Sequence, residues 1–384
     1  MRKRKKVDMT KGKRVLALSR IALAAGAFGA MLFRPVPEAQ ATPGSGASRT
    51  VYDDFSSGFS VNTPTAKWFY FSAGPFVGNG GTESTSRRGL HVEANGRNPR
   101  TGQPAFTNTV APDSISGIPG GVDHVKWLAY ATHPASSGIA GWDAIPGKEL
   151  ACEWRMSGRT FGNRFHPFGR NVQDANDDLR LSAYAANAID LETLMVFDWF
   201  ITNETIYAFY ERLPFARAAL GNYAAFSFNI PVAKTNPGQA HHFKTAYDKT
   251  GNRVRWILDG KEVFSVNRLG FLINRKYMTL DHGGTEEVVS PRQLDCGMGM
   301  FTLLDAHLPS KVGLVKVSDT PSFYFNPEVG APTPETFVDG TSLLSNRLFG
   351  QGAEFDVRNL TVSYRNVNDR HRDDEDDDDD NCHP

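Results

Sequence analysis

The chain lacks the features that would place it in several broad classes. Its 384 residues hold three cysteines, too few for a disulfide-dense scaffold, and no CxxC pair or Cys/His spacing that would hold zinc. No stretch reaches 18 apolar residues, so no transmembrane helix is expected. Charge of one sign is missing from the body: residues 42–368 carry 30 Lys/Arg against 31 Asp/Glu. A near-neutral body argues against a nucleic-acid binder, which needs a net basic face to displace phosphate counterions. Helical periodicity is also scarce. The strongest helix candidate, 213–220, is short and begins with Pro214, which suits a first helical turn.

The two ends carry the charge that the body lacks. Arg2 to Lys6 is a basic run, Ile21 to Phe33 an apolar one, and Ala39-Gln40-Ala41 a small-residue cleavage pattern. These are the three parts of a secretory signal peptide over 1–41, so the mature protein is expected to be exported. At the other end, Asp373 to Asp380 are eight consecutive acids. They repel one another, which predicts a solvated tail over 369–384. That run offers Ca²⁺ only a loose association, because it lacks the spaced ligands and glycine of a defined loop. No cofactor is expected.

Between the ends, 40% of the residues are hydrophobic and 11% aromatic, ample for a large core. The dominant period is two. Alternating or β-branched runs such as 126–131, 149–156, 194–202, 205–212, 242–247, 254–258, 312–317 and 355–364 are separated by turn clusters. About a dozen short strands punctuated in this way predict one all-β domain, a sandwich or jelly roll, over 42–368. Cys152 falls in a strand-like run and Cys296 in a Gly-rich segment. In an exported chain they either form a disulfide or remain two buried thiols.

Two hairpins can be drawn residue by residue. Asp259-Gly260 sits between two strands, the pairing that a type I′ turn demands. If Asn203-Glu204 is the other turn, Phe200 faces Tyr207, Asp198 faces Phe209 and Val196 faces Glu211. One face then carries Asp198, Glu211, Phe200, Tyr207 and Phe209, while Phe197, Trp199, Ile201, Ile206 and Tyr210 form the core face. Two carboxylates among aromatic rings suit a sugar cleft, where rings stack on sugar C–H faces and carboxylates bind hydroxyls. The diagonal separation is roughly 5–8 Å by strand-pair geometry. This overlaps the spacings of both retaining (about 5–5.5 Å) and inverting (about 6.5–9.5 Å) glycosidases. Glu211 is the expected general acid because desolvation raises a carboxyl pKa. The alternative is that both acids are buried partners of arginines.

The run His241-His242-Phe243 to Asp248, followed by Trp256-Ile257-Leu258-Asp259-Gly260, resembles a stretch of concanavalin A-like lectin/glucanase domains, of which glycoside hydrolase family 16 is the best known. Tyr52–Phe55, Glu149–Gly158 with Glu153 and Arg155, and Phe355–Tyr364 are similar to other strands of that fold. The resemblance implies a β-jelly roll of two antiparallel sheets with a concave, glycan-binding face. The catalytic E-x-D-x-E or E-x-D-x-x-E strand of family 16 is absent, so no catalytic role carries over. Arg155 and His242 are added as expected substrate-binding residues beside Phe200, Tyr207 and Phe209. Three functions stay open: polysaccharide hydrolysis by Asp198 and Glu211, lectin-like glycan binding, and a polysaccharide lyase drawing on Arg155, Tyr184, His242 and Tyr247. Asp281-His282 and Asp305-x-His307 invite a triad, but no Ser sits in a nucleophile elbow.

Overall fold

A computed structural model describes residues 47–308 and 312–369. The expected signal segment and all of the acidic tail except Asp369 lie outside the described residues. Two antiparallel sheets face each other. The first, eight-stranded, runs β13 (Lys261–Asn267), β12 (Arg253–Leu258), β11 (His241–Asp248), β6 (Lys148–Phe161), β16 (Gly352–Asn366), β4 (Gly89–Ala94), β3 (Gly81–Ser86), with β1 (Ser48–Asp53) also on β16. The second, nine-stranded, runs β14 (Met278–Asp281), β10 (Phe226–Lys234), β9 (Thr205–Arg212), β8 (Met195–Ile201), β7 (Ala183–Asp190), β15 (Gln293–Phe301), β5 (Val125–Ala131), β2 (Trp68–Tyr70). A two-residue strand, Trp142–Asp143, also pairs with β15. The architecture is an all-β jelly-roll sandwich. Among the described residues no helix is long and apolar enough to cross a membrane.

Both hairpins follow from their turn chemistry. Asp259 and Gly260 have φ of 48° and 82°, as a type I′ turn requires. The second hairpin pairs Phe200 with Tyr207, Asp198 with Phe209 and Val196 with Glu211. Alternation then sorts the side chains. Phe197, Trp199, Ile201, Ile206, Ala208 and Tyr210 enter the main core with Cys152, Trp154, Met156, Phe243 and Trp256 of the other sheet. Cys152 and Cys296 form a disulfide with Cα atoms 5.9 Å apart, tying β6 to β15 across that core.

Three elements depart from the expected ones. The run 312–317 supplies only a short parallel pair, Gly313–Val315 with Phe337–Asp339, outside both sheets. The helix candidate resolves into a 3₁₀ turn, Pro214–Ala216, and one α-turn, Arg217–Leu220. The Gly-rich segment around Cys296 is itself a strand. A Cβ on Gly297 would sit 2.5 Å from a Tyr130 ring carbon and 2.7 Å from the Ala129 carbonyl oxygen. The Tyr130 ring and the Ala129 carbonyl leave no room for a side chain there. Gly297→Ala is therefore expected to cost about 1–3 kcal/mol, read as a lower urea midpoint; an unchanged midpoint would show that Tyr130 moves aside freely.

Candidate functional site

Asp198, Phe200, Tyr207, Phe209 and Glu211 share the outer face of the nine-stranded sheet, and much of that face is covered. Phe200 and Phe209, each 2% exposed, pack 4.6 Å apart and join Leu128, Tyr130, Phe301 and Leu303 in a second apolar cluster. They are not open sugar platforms, because the Phe301–Leu308 stretch and its neighbours lie over them. Tyr207 is half-buried and its hydroxyl donates to Asp177 Oδ1 at 3.2 Å. Asp198 is buried. Its Oδ2 accepts from Asn187 Nδ2 at 2.6 Å and its Oδ1 from the Ala188 N–H at 2.8 Å. Burial nonetheless raises its pKa well above the ordinary carboxylate value, ahead of these hydrogen bonds.

Glu211 differs. It is half-buried, opposite Val196 on one side and Ser227 on the other, and accepts from Ser227 Oγ at 2.5 Å. Burial pushes its carboxyl up to about 7, against the pull of Ser227 and of the His124 charge, and with a push from Asp305. His124 ends the 3₁₀ turn Gly120–His124 that leads into β5. Its Nε2 bonds Asp305, whose second oxygen accepts from Tyr324 Oη at 2.6 Å. Burial alone would lower the His124 pKa, but the charge and hydrogen bond of Asp305 outweigh it and hold the imidazole above its usual value. Nδ1 of His124 has no partner among the described residues. Rings of Phe215 and Phe323, with centroids 6.4 Å apart, flank Gly121 beside it. A carboxyl that titrates near neutrality, within electrostatic reach of a histidine whose pKa is raised, can both take and return a proton.

The raised pKa of Glu211 has a consequence for stability. In the unfolded chain the group ionises near 4.5, in the folded one near 7. Between those values the folded state binds the extra proton, so this group makes stability fall as pH rises through the window, by about 3 kcal/mol at most. Glu211→Gln is therefore expected to raise the melting temperature at pH 8 relative to the parent and to leave it little changed at pH 4; parallel changes at both pH values would contradict the shift.

His124, Asp305 and Tyr324 were not expected as a group. The sequence places Asp305 two residues before His307, but His307 bonds Glu335 at 2.8 Å instead. His282 Nδ1 donates to Phe323 O at 2.6 Å, and burial lowers its pKa to about 4. Nothing local signals the pairing of His124 with Asp305, 181 residues apart.

Arg155 and His242 lie elsewhere. They are direct partners on β6 and β11 and point outward from the eight-stranded sheet. The main core separates them from Glu211, so the residues expected in one cleft occupy two opposite faces. Strand pairing tells which residues share a face of one sheet; it does not tell which face of the other sheet they meet. His242 Nε2 sits 3.3 Å from Glu153. Tyr184 and Tyr247, raised for a lyase, are buried in the core at 1% and 0% exposure. For a metal, the described residues offer His91, Glu93 and Glu354 with ligand atoms within 4.8 Å of one another. Both carboxylates are already paired, with Arg97 at 2.5 Å and Arg159 at 2.7 Å.

The family model described as "Family of unknown function (DUF6081)" matches residues 52–366. The chain belongs to this family. A relative, the uncharacterized protein L829 of Acanthamoeba polyphaga mimivirus, is 32% identical over 256 residues, which is 50% of this chain and 56% of that one. The chain thus spans little more than half the length of that curated relative. Among solved structures, alginate lyase A1-II′ of polysaccharide lyase family 7 superposes with a TM-score of 0.34 at 8% identity over 74% of this chain and 84% of its own. Crh5 transglycosylase in complex with NAG gives 0.35 at 11% over 84% and 85%. Likenesses at these values establish no shared chemistry with this member of the family.

Proposed function

We propose that this protein is an exported, carbohydrate-active enzyme that cleaves an acidic polysaccharide by β-elimination at Glu211. The observation that carries this reading is the half-buried Glu211 carboxyl held at about 7 within electrostatic reach of the His124–Asp305 pair. In such a reaction ionised Glu211 takes the proton from the carbon next to the uronate carboxylate. The C–H electrons become the C4=C5 double bond, the C4–O bond breaks, and Glu211 returns the proton to the departing oxygen. The His124 imidazolium, kept charged by Asp305, offers Nδ1–H to the substrate carboxylate while negative charge builds there.

A glycosidase pair is less well supported. It needs a second, ionised carboxylate within reach of the sugar, whereas Asp198 is buried, bonded at both oxygens and driven toward its neutral form. The signal-like segment and the disulfide support export. The hairpin at Asp259-Gly260 supports placement in the concanavalin A-like superfamily. A second reading, a glycan-binding protein without catalysis, would have to bind away from Phe200 and Phe209, because the face around them is filled.

The test is to incubate residues 42–384 with polyuronates and neutral glucans and to follow both unsaturated-uronate absorbance and new reducing ends. Absorbance with polyuronates alone is the expected result. Reducing ends without absorbance would replace elimination by hydrolysis. Silence in both, with the protein still retained on glycan resin, would leave the binding reading.

A further inference from the structure

The outer face of the eight-stranded sheet holds a cleft of about 740 Å³ whose lining includes Arg88, Arg155 and Arg358. The sheet geometry builds it. Along β6 and β16 the register shifts between Trp154 and Met156, opposite Val357 to Leu360, a bulge that leaves both Arg155 and Arg358 facing outward. Gly89, at φ 114°, lets the β3–β4 turn approach so closely that a Cβ there would lie 2.1 Å from Val357 O and 2.7 Å from Arg358 Cα. That approach brings Arg88 to the same spot.

The charges in the cleft are unevenly satisfied. Its two acids are engaged: Asp356 with His91 Nδ1 at 3.1 Å, and Asp259 with His241 Nδ1 at 2.7 Å and the His242 N–H at 2.7 Å. The three arginines are exposed, and their guanidiniums have no partner among the described residues. Free guanidiniums present paired N–H donors that match carboxylate oxygens two by two. No Phe, Tyr or Trp lines the cleft, so bases would lack the large rings on which they stack best, while its serines and histidines suit sugar hydroxyls.

We infer that this cleft is a separate binding site for a polyuronate chain, gripping successive carboxylates with Arg88, Arg155 and Arg358. It lies across the sandwich from Glu211 and stands whether or not Glu211 is catalytic. A site of this kind would keep a long acidic substrate near the protein while the opposite face acts on another stretch.

The test uses the Glu211→Gln chain, so that turnover cannot remove the ligand, in affinity electrophoresis and calorimetry. The probes are polygalacturonate, its fully methyl-esterified form and a DNA duplex. Expected is binding to polygalacturonate that weakens with salt, little binding to the ester or the duplex, and a loss of at least about tenfold in an Arg155→Gln/Arg358→Gln variant. That variant should melt at the parent temperature, because both side chains are exposed and unpaired. Equal binding of the ester, equal binding of the duplex, or unchanged affinity in the folded double variant would each overturn the site.

Discussion

Glu211→Gln should lower kcat on a polyuronate by about three orders of magnitude while KM changes little, the range expected when a positioned acid–base group is lost. Gln keeps the shape of the side chain and still accepts from Ser227 Oγ, so the scaffold stays intact and only the titrating oxygen disappears. The contrasting variant is Asp198→Asn. A glycosidase pair predicts that it is as damaging as Glu211→Gln. The elimination reading predicts a change of no more than about threefold, because burial already holds Asp198 toward its neutral form. The pH profile adds an independent check. With Glu211 as base, kcat/KM should climb as its carboxyl ionises around pH 7 and fall again once His124 loses the proton that Asp305 helps it hold. Equal losses in both variants, or a profile flat through neutrality, would sink the assignment.

What the sequence makes legible is local. The turn Asp259-Gly260 announces its own hairpin because two consecutive positive φ angles are cheap only for such a pair, and Asn203-Glu204 fixes which of Asp198, Glu211 and their neighbours share a face. What lies on top of that face was invisible. Phe200 and Phe209 look like free rings in the sequence, yet the chain from Phe301 onward returns to cover them. The same return delivers Asp305 to His124 and Tyr324 to Asp305. Nor could alternation say that Arg155 and Glu211 face away from each other, since an outward residue looks alike on either sheet. Gly297 and Gly299 concealed a central strand for a related reason: their value lies in the rings of Tyr130 and Phe301 that rest on them, one of which arrives from a distant strand.

The disulfide carries the other large expected effect. Cys152 and Cys296 are fully buried and 144 residues apart, and their bond joins the two sheets near the centre of the sandwich. Closing a loop of that length removes conformational freedom from the unfolded chain worth about 5 kcal/mol in the loop-entropy account. Whole domains have only about 5–15 kcal/mol in hand, so a Cys152→Ala/Cys296→Ala chain should unfold at a much lower urea concentration. The double variant also empties volume in the core, and reduction of the parent separates the two contributions because it breaks the bond and keeps the sulfurs. Since both sulfurs are inaccessible in the folded state, reduction should be slow in buffer and accelerate in denaturant as the chain opens. Equilibrium unfolding of the parent with and without reductant, beside the double variant, reads all three. The reduced parent should fall between the other two, and a reduced chain with the midpoint of the oxidised one would mean that the sheets hold together without the bond.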